Sequence, residues 1–338
     1  MSMKMKMEEQ ENLSLIPPTA TLEIDKDLTL LPRIKLNLTV HPSTPSSSIT
    51  NQIDEWKTKR ALLDFLQTSH SLPFPLPEED LQFKRFNKDL KKRKREDPVV
   101  YGTLHIWDLS FLSEKNENDV VKWRNGLVEK LNGVELNLQG VRFRLEVDVP
   151  ECDDFDGMKK NWEEFYAFRD VNRSSRREPD TIVVSGVPSR WFAETRVSSK
   201  PSMLVTHTIF SKFGKIRNLN VAEDDSGKDA NEDSVDLVSG LYCKIVVQFE
   251  KYRDFHDALR VLSGRSLQKQ GSRLKADYVV TWDKDEFFRN SRNQTQEKNN
   301  AISTTASDHY RSEAPRRQVY NSRHSPDKVR SRRFRGEK

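Results

Sequence analysis

Tyr242, Lys244, Val246 and Gln248 alternate along one face of an apolar run that ends Ile245-Val246-Val247-Gln248-Phe249, so they point away from whatever that run buries. On such a face Tyr242, Lys244 and Gln248 are candidates for contact with RNA, and Lys244 with Lys275 can hold phosphate without reading sequence. That is binding chemistry. Nothing for catalysis accompanies it: the seven histidines (His41, His70, His105, His207, His256, His309, His324) are scattered without a partner at metal-ligand spacing. No glycine-rich phosphate loop and no G-x-S-x-G nucleophile turn occurs either. The chain reads as non-enzymatic, with no metal site and no cofactor.

Charge placement points to a polyanion. From Arg289 to Lys338 there are 13 Lys or Arg against 5 Asp or Glu, so the tail carries +8 of an overall +5 and the first 288 residues carry −3. Clustered cations gain by releasing counterions from phosphates, and Arg316, Arg317, Arg332 and Arg333 are the tail's contact candidates for RNA. Ser-Arg dipeptides recur sparsely there, and Ser325-Pro326 is a phosphorylation candidate that would cancel charge. The same composition also fits a disordered end without regulation. A second cluster, eight basic residues from Lys84 to Arg95, ends Lys91-Lys92-Arg93-Lys94-Arg95. Five consecutive cations repel one another in a packed domain, which favours a signal read by a nuclear import receptor over a solvated helix face. Cys152 and Cys243 offer no disulfide framework or metal quartet. No apolar run suits a secretory signal or a membrane span, so a soluble intracellular protein is expected.

The elements that must carry these residues follow from periodicity. Asp180 to Trp282 reads strand, helix, strand, strand, helix, strand, the ferredoxin-like βαββαβ order of an RNA-recognition motif, opening with the strand Asp180 to Pro188 that ends in a Gly186-Val187-Pro188 turn. Helical stripes Val205, Ile209, Phe210, Phe213 and Phe255, Ala258, Leu259, Leu262 face the core, with Gly214 and Gly264 as left-handed stops. In this fold bases stack on aromatics of the first and third strands, and the three stacking positions here hold Val183, Lys244 and Val246. The motif is therefore atypical. Two readings stand: weak RNA binding assisted by the tail, or a protein-docking scaffold that never touches RNA. For docking, Arg190, Trp191 and Phe192 are the candidates, unless the two aromatics close over the core.

Upstream, residues 19–150 read as a second α+β domain with a basic insert at 84–96. Its predicted strands are Thr21 to Ile24, Ile34 to Val40, Thr103 to Leu109, Val134 to Leu138 and Val141 to Val149. Helices are predicted from about Gln52 to Leu66, with Ile53, Trp56, Leu63 and Leu66 inward, and from Asp119 to Leu131. Leu104 to Leu109 resembles a first-strand signature, giving half of the same βαββ plan, with the N-terminal strands completing the sheet in a rearranged order. The overall assignment is α+β: disordered 1–18, domain 19–150, linking helix 151–179, atypical RNA-recognition motif 180–288, and a disordered basic Arg/Ser-containing tail 289–338.

Five segments together resemble the A-kinase anchor protein 17A family, also called arginine/serine-rich splicing factor 17A. They are Trp162-Glu163-Glu164-Phe165-Tyr166, Pro179-Asp180-Thr181-Ile182, Trp191-Phe192-Ala193, Phe210 to Asn218 and the strand Ile245 to Phe249. The resemblance is strongest from Trp162 to Trp282. It implies a nuclear-speckle protein that influences splice-site choice in pre-mRNA, with splicing proteins as partners. The family's animal members continue into a long charged helical region and a dense arginine/serine tail, whereas about fifty sparse residues stand here. Too few apolar residues are present in them for the helix stripe that docks a kinase regulatory subunit, so kinase anchoring is not carried over.

Overall fold

A computed structural model describes residues 13–25, 27–43, 55–69, 75–85, 98–112, 117–138, 141–169, 178–194, 197–224 and 240–289. The chain divides into two units, 1–284 and 285–338. In the second, Arg289 reaches the Glu286 carboxylate at 3.2 Å. The tail cations Arg316, Arg317, Arg332 and Arg333, Ser325, and the run Lys91 to Arg95 lie outside the described residues.

The first unit holds two sheets of the same plan. In β3 (Ile34–Pro42) the alternation of Ile34, Leu36, Leu38 and Val40 buries one face. It lies at the centre of an antiparallel five-stranded sheet ordered β4-β5-β3-β7-β6, with β4 (Leu81–Arg85), β5 (Val100–Ile106), β6 (Glu135–Leu138) and β7 (Val141–Asp148). Helices α1 (Glu55–Ser69) and α2 (Glu117–Leu131) cover the buried face with Leu62, Leu63, Leu66, Leu127 and Leu131. In chain order this is β3-α1-β4-β5-α2-β7 with β6 added at an edge, a complete βαββαβ module. β3 is its first strand and β5 its third, so the order is the ordinary one and Leu104 to Leu109 does not open it. Trp56 was expected inward and is 53% exposed, with Arg60 5.4 Å from its ring centroid. The helix stripe runs Thr58, Leu62, Leu66, and Trp56 sits about 120° round from it.

The second module's sheet is ordered β13-β8-β10-β9, the strand order of an RNA-recognition motif. It comprises β8 (Thr181–Pro188), β9 (Ile216–Glu223), β10 (Tyr242–Phe249) and β13 (Val279–Trp282). Helices α4 (Met203–Phe210) and α5 (Tyr252–Leu262) bury the predicted stripes against it. Gly264 has the left-handed φ of 69° that stops α5. Gly214 is not among the positive-φ residues. A Cβ there would meet Asp254 at 2.3 Å, and the Asp254 carboxylate accepts from the Lys215 amide, so close approach is what excludes a side chain.

Two segments expected elsewhere complete this module. Helix α3 (Phe155–Arg169), read as a linker, drives Trp162 into the core edge-on to Phe255 at 5.5 Å, while Phe165 and Tyr166 meet Trp282. The strand β2 (Leu28–Pro32) pairs not with the first sheet but with β11 (Arg265–Lys269), β1 (Leu22–Glu23) pairs with β2, and β12 (Lys275–Ala276) closes a sheet ordered β1-β2-β11-β12. Even Leu13, expected in a disordered end, is buried, and its carbonyl accepts from Arg260. The described residues from Leu13 to Pro32 therefore belong to the second module.

Candidate nucleic-acid interface

On the second sheet, register places Val183 beside Val246 and Val246 beside Asn220, with Lys244 beside Ala222 and Gln248 between Thr181 and Asn218. These residues share the face away from α4 and α5, as their alternation required. Lys244 is exposed and Tyr242 is 45% exposed at the sheet's end. Gln248 is not available to read a base. It is buried, its amide donating to Asp180 at 2.9 Å and its carbonyl accepting from Asn218. Arg217 stands 3.7 Å from the same Asp180 carboxylate. Val246 is 2% exposed, so the middle of the face has neither an aromatic platform nor open apolar surface. Tyr242 is the only aromatic among the described residues of these four strands that faces outward on this side.

Lys275 is not on this face at all. It lies on β12, and its ammonium sits 3.7 Å above the Trp107 ring of the first module. His105 stacks on Trp107 at 5.6 Å, and the indole Nε1 donates to Asp80. Of the docking candidates, Phe192 is a core residue stacked near Phe210, and Trp191 packs half-buried against the same core. Only Arg190 of the three is exposed. The short turn Ser189–Trp191 folds both rings inward, so the lid alternative describes them.

Lys275 belongs to a charged joint that the sequence did not reveal. Between β2 and β3 the chain passes from one sheet to the other, and Arg33 at that point is 3% exposed. Its guanidinium reaches Asp153 at 2.5 Å and Asp277 at 3.1 Å and donates to Ser266, whose hydroxyl donates in turn to Asp277. Asp277 also receives Lys35 at 3.1 Å and the His105 ring at 2.6 Å. Burial alone would raise the Asp277 pKa, but the His105 hydrogen bond and the charges of Arg33, His105 and Lys35 hold it well below the usual carboxylate range. Burial likewise works against the Arg33 charge, which Asp153 and Asp277 outweigh. Lys35 and His105 face the open side of the first sheet, so the joint covers that end of it. The only trace in the sequence is a lone arginine, in Pro32-Arg33-Ile34, interrupting an apolar alternation.

Among the described residues no cluster of His, Cys, Asp or Glu could hold a metal ion, and no helix is long and apolar enough to cross a membrane. Comparison with known proteins matches residues 115–322 to a family model described as an AKAP-17A-like RNA-binding domain. The human A-kinase anchor protein 17A is 31% identical over 153 residues, covering 43% of this chain and 22% of that protein. The chain thus spans about a fifth of that relative's length.

Proposed function

The chain belongs to the AKAP-17A-like RNA-binding domain family, and on that premise we propose that it is a nuclear, non-catalytic RNA-binding protein that takes part in pre-mRNA splicing. The observation that carries the proposal is the β13-β8-β10-β9 sheet with α4 and α5 behind it, the architecture of an RNA-recognition motif, lying inside the stretch that matches the family. A similar module stands before it, and the charged joint at Arg33 and Asp277 links the two. Pre-mRNA is the proposed ligand, splicing proteins and a nuclear import receptor the proposed partners, and nuclear speckles the proposed location. Kinase-subunit anchoring is not part of the proposal.

The scaffold reading is favoured by one observation, the loss of every stacking aromatic at Val183, Lys244 and Val246, since stacking contributes about 1–3 kcal/mol per base. Ultraviolet crosslinking of RNA to the full chain in cells, with sequencing of the bound sites, separates the two. Enrichment of intron-containing transcripts at defined sites supports the RNA reading. Crosslinking at background, with splicing proteins still co-purifying, replaces it by the scaffold.

A further inference from the structure

The first module holds what the second lacks. On its third strand β5, alternation turns Tyr101, Thr103 and His105 to the open face, the positions from which this fold stacks bases. His105 is committed to Asp277 in the joint, so that end of the face is closed. Tyr101, at the other end, is 44% exposed on a strand with neighbours on both sides, between Lys84 of β4 and Thr39 of β3. Gln82 pairs with Thr103 in the next row. Around the ring the side chains are hydroxyls, an amide and an ammonium.

The far side of this face mixes signs: Glu135, Glu146 and Asp148 lie on β6 and β7 together with Arg144 and with Arg142, 3.8 Å from Glu135, and Asn37 donates to Asp148 at 3.1 Å. The β4 side carries the exposed Lys84. A protein interface wants an apolar centre, which this face does not have, whereas an aromatic ring ringed by hydrogen-bonding groups beside a cation suits a base and its phosphate.

We propose that the half of the first sheet around Tyr101 is a stacking site for single-stranded RNA, with Lys84 as its phosphate contact, and that it carries base contact in place of the second sheet. This rests on the reading that the chain binds RNA. The test is fluorescence anisotropy of the full chain with a labelled random-sequence single-stranded RNA of about twelve nucleotides. Tyr101→Ala weakens binding about tenfold, and Tyr101→Phe stays within about twofold of wild type. Lys84→Ala lowers the slope of log affinity against log salt by about one. Tyr101→Leu, which keeps apolar bulk but removes the ring, serves as the second variant should the alanine form melt early. Wild-type affinity in Tyr101→Leu, or loss in Tyr101→Phe equal to that in Tyr101→Ala, overturns the assignment. Absence of binding by the wild-type chain itself refutes the RNA reading on which it stands.

Discussion

Replacing Asp277 by Ala tests whether the charged joint holds the two modules together. The carboxylate accepts from His105 at 2.6 Å and from Ser266, and it neutralises Arg33 and Lys35, each 3.1 Å away. Without it Arg33, 3% exposed, keeps Asp153 as its one charged partner among the described residues. Removing one partner of a buried charge pair costs about 3–5 kcal/mol because the remaining charge stays desolvated. For a folded unit of this size each kcal/mol moves the thermal midpoint by about 2–4 °C, so a fall of about 6–20 °C is expected by calorimetry. The transition should also broaden or split, since each module retains its own apolar core. The acid limb supplies a second reading. A carboxylate whose folded pKa is depressed contributes stability that is present above its unfolded value of about 3.9 and is lost as pH falls towards the folded value. The gap between wild type and Asp277→Asn should therefore shrink as pH drops below about 4. A midpoint within about 1 °C of wild type and a single sharp transition would refute the reasoning, leaving apolar packing to hold the modules together.

Trp162→Ala should cost about 3–5 kcal/mol by chemical denaturation, because a fully buried ring between Phe155 and Phe255 leaves a cavity; a loss under about 1 kcal/mol would show α3 to be a detachable linker. Burial pushes both the Cys152 and the Cys243 thiol up to about 12, so neither should react with a disulfide reagent at pH 8 in the folded protein, and both should react in denaturant. Rapid labelling of the native chain would contradict their placement. Changing Lys91 to Arg95 to Ala should leave a fluorescent fusion in the cytoplasm; nuclear accumulation of that variant would remove the import assignment.

The sequence by itself determined the elements whose apolar residues recur at one period. Ile34 to Val40 could only be a strand with one buried face, and Val205 to Phe213 and Phe255 to Leu262 only helices with one buried stripe, because those periods are local geometry. The outward positions Tyr242, Lys244, Val246 and Gln248 followed from the same alternation, and so did the absence of stacking aromatics among Val183, Lys244 and Val246. What periodicity does not carry is which strand pairs with which. Leu28 to Pro32 alternates equally well for either sheet, and only tertiary structure sets it on β11, 233 or more residues away, while β3, one residue further on, enters the other sheet. That crossing fixes Arg33 beside Asp153 and Asp277, turns Lys275 from an expected phosphate contact into a cation over Trp107, and leaves Tyr101 on the open half of a sheet whose other half is closed. Side-chain chemistry was legible residue by residue, whereas charge partners and access were decided by contacts between residues far apart in the chain, for which a single sequence holds no local signal.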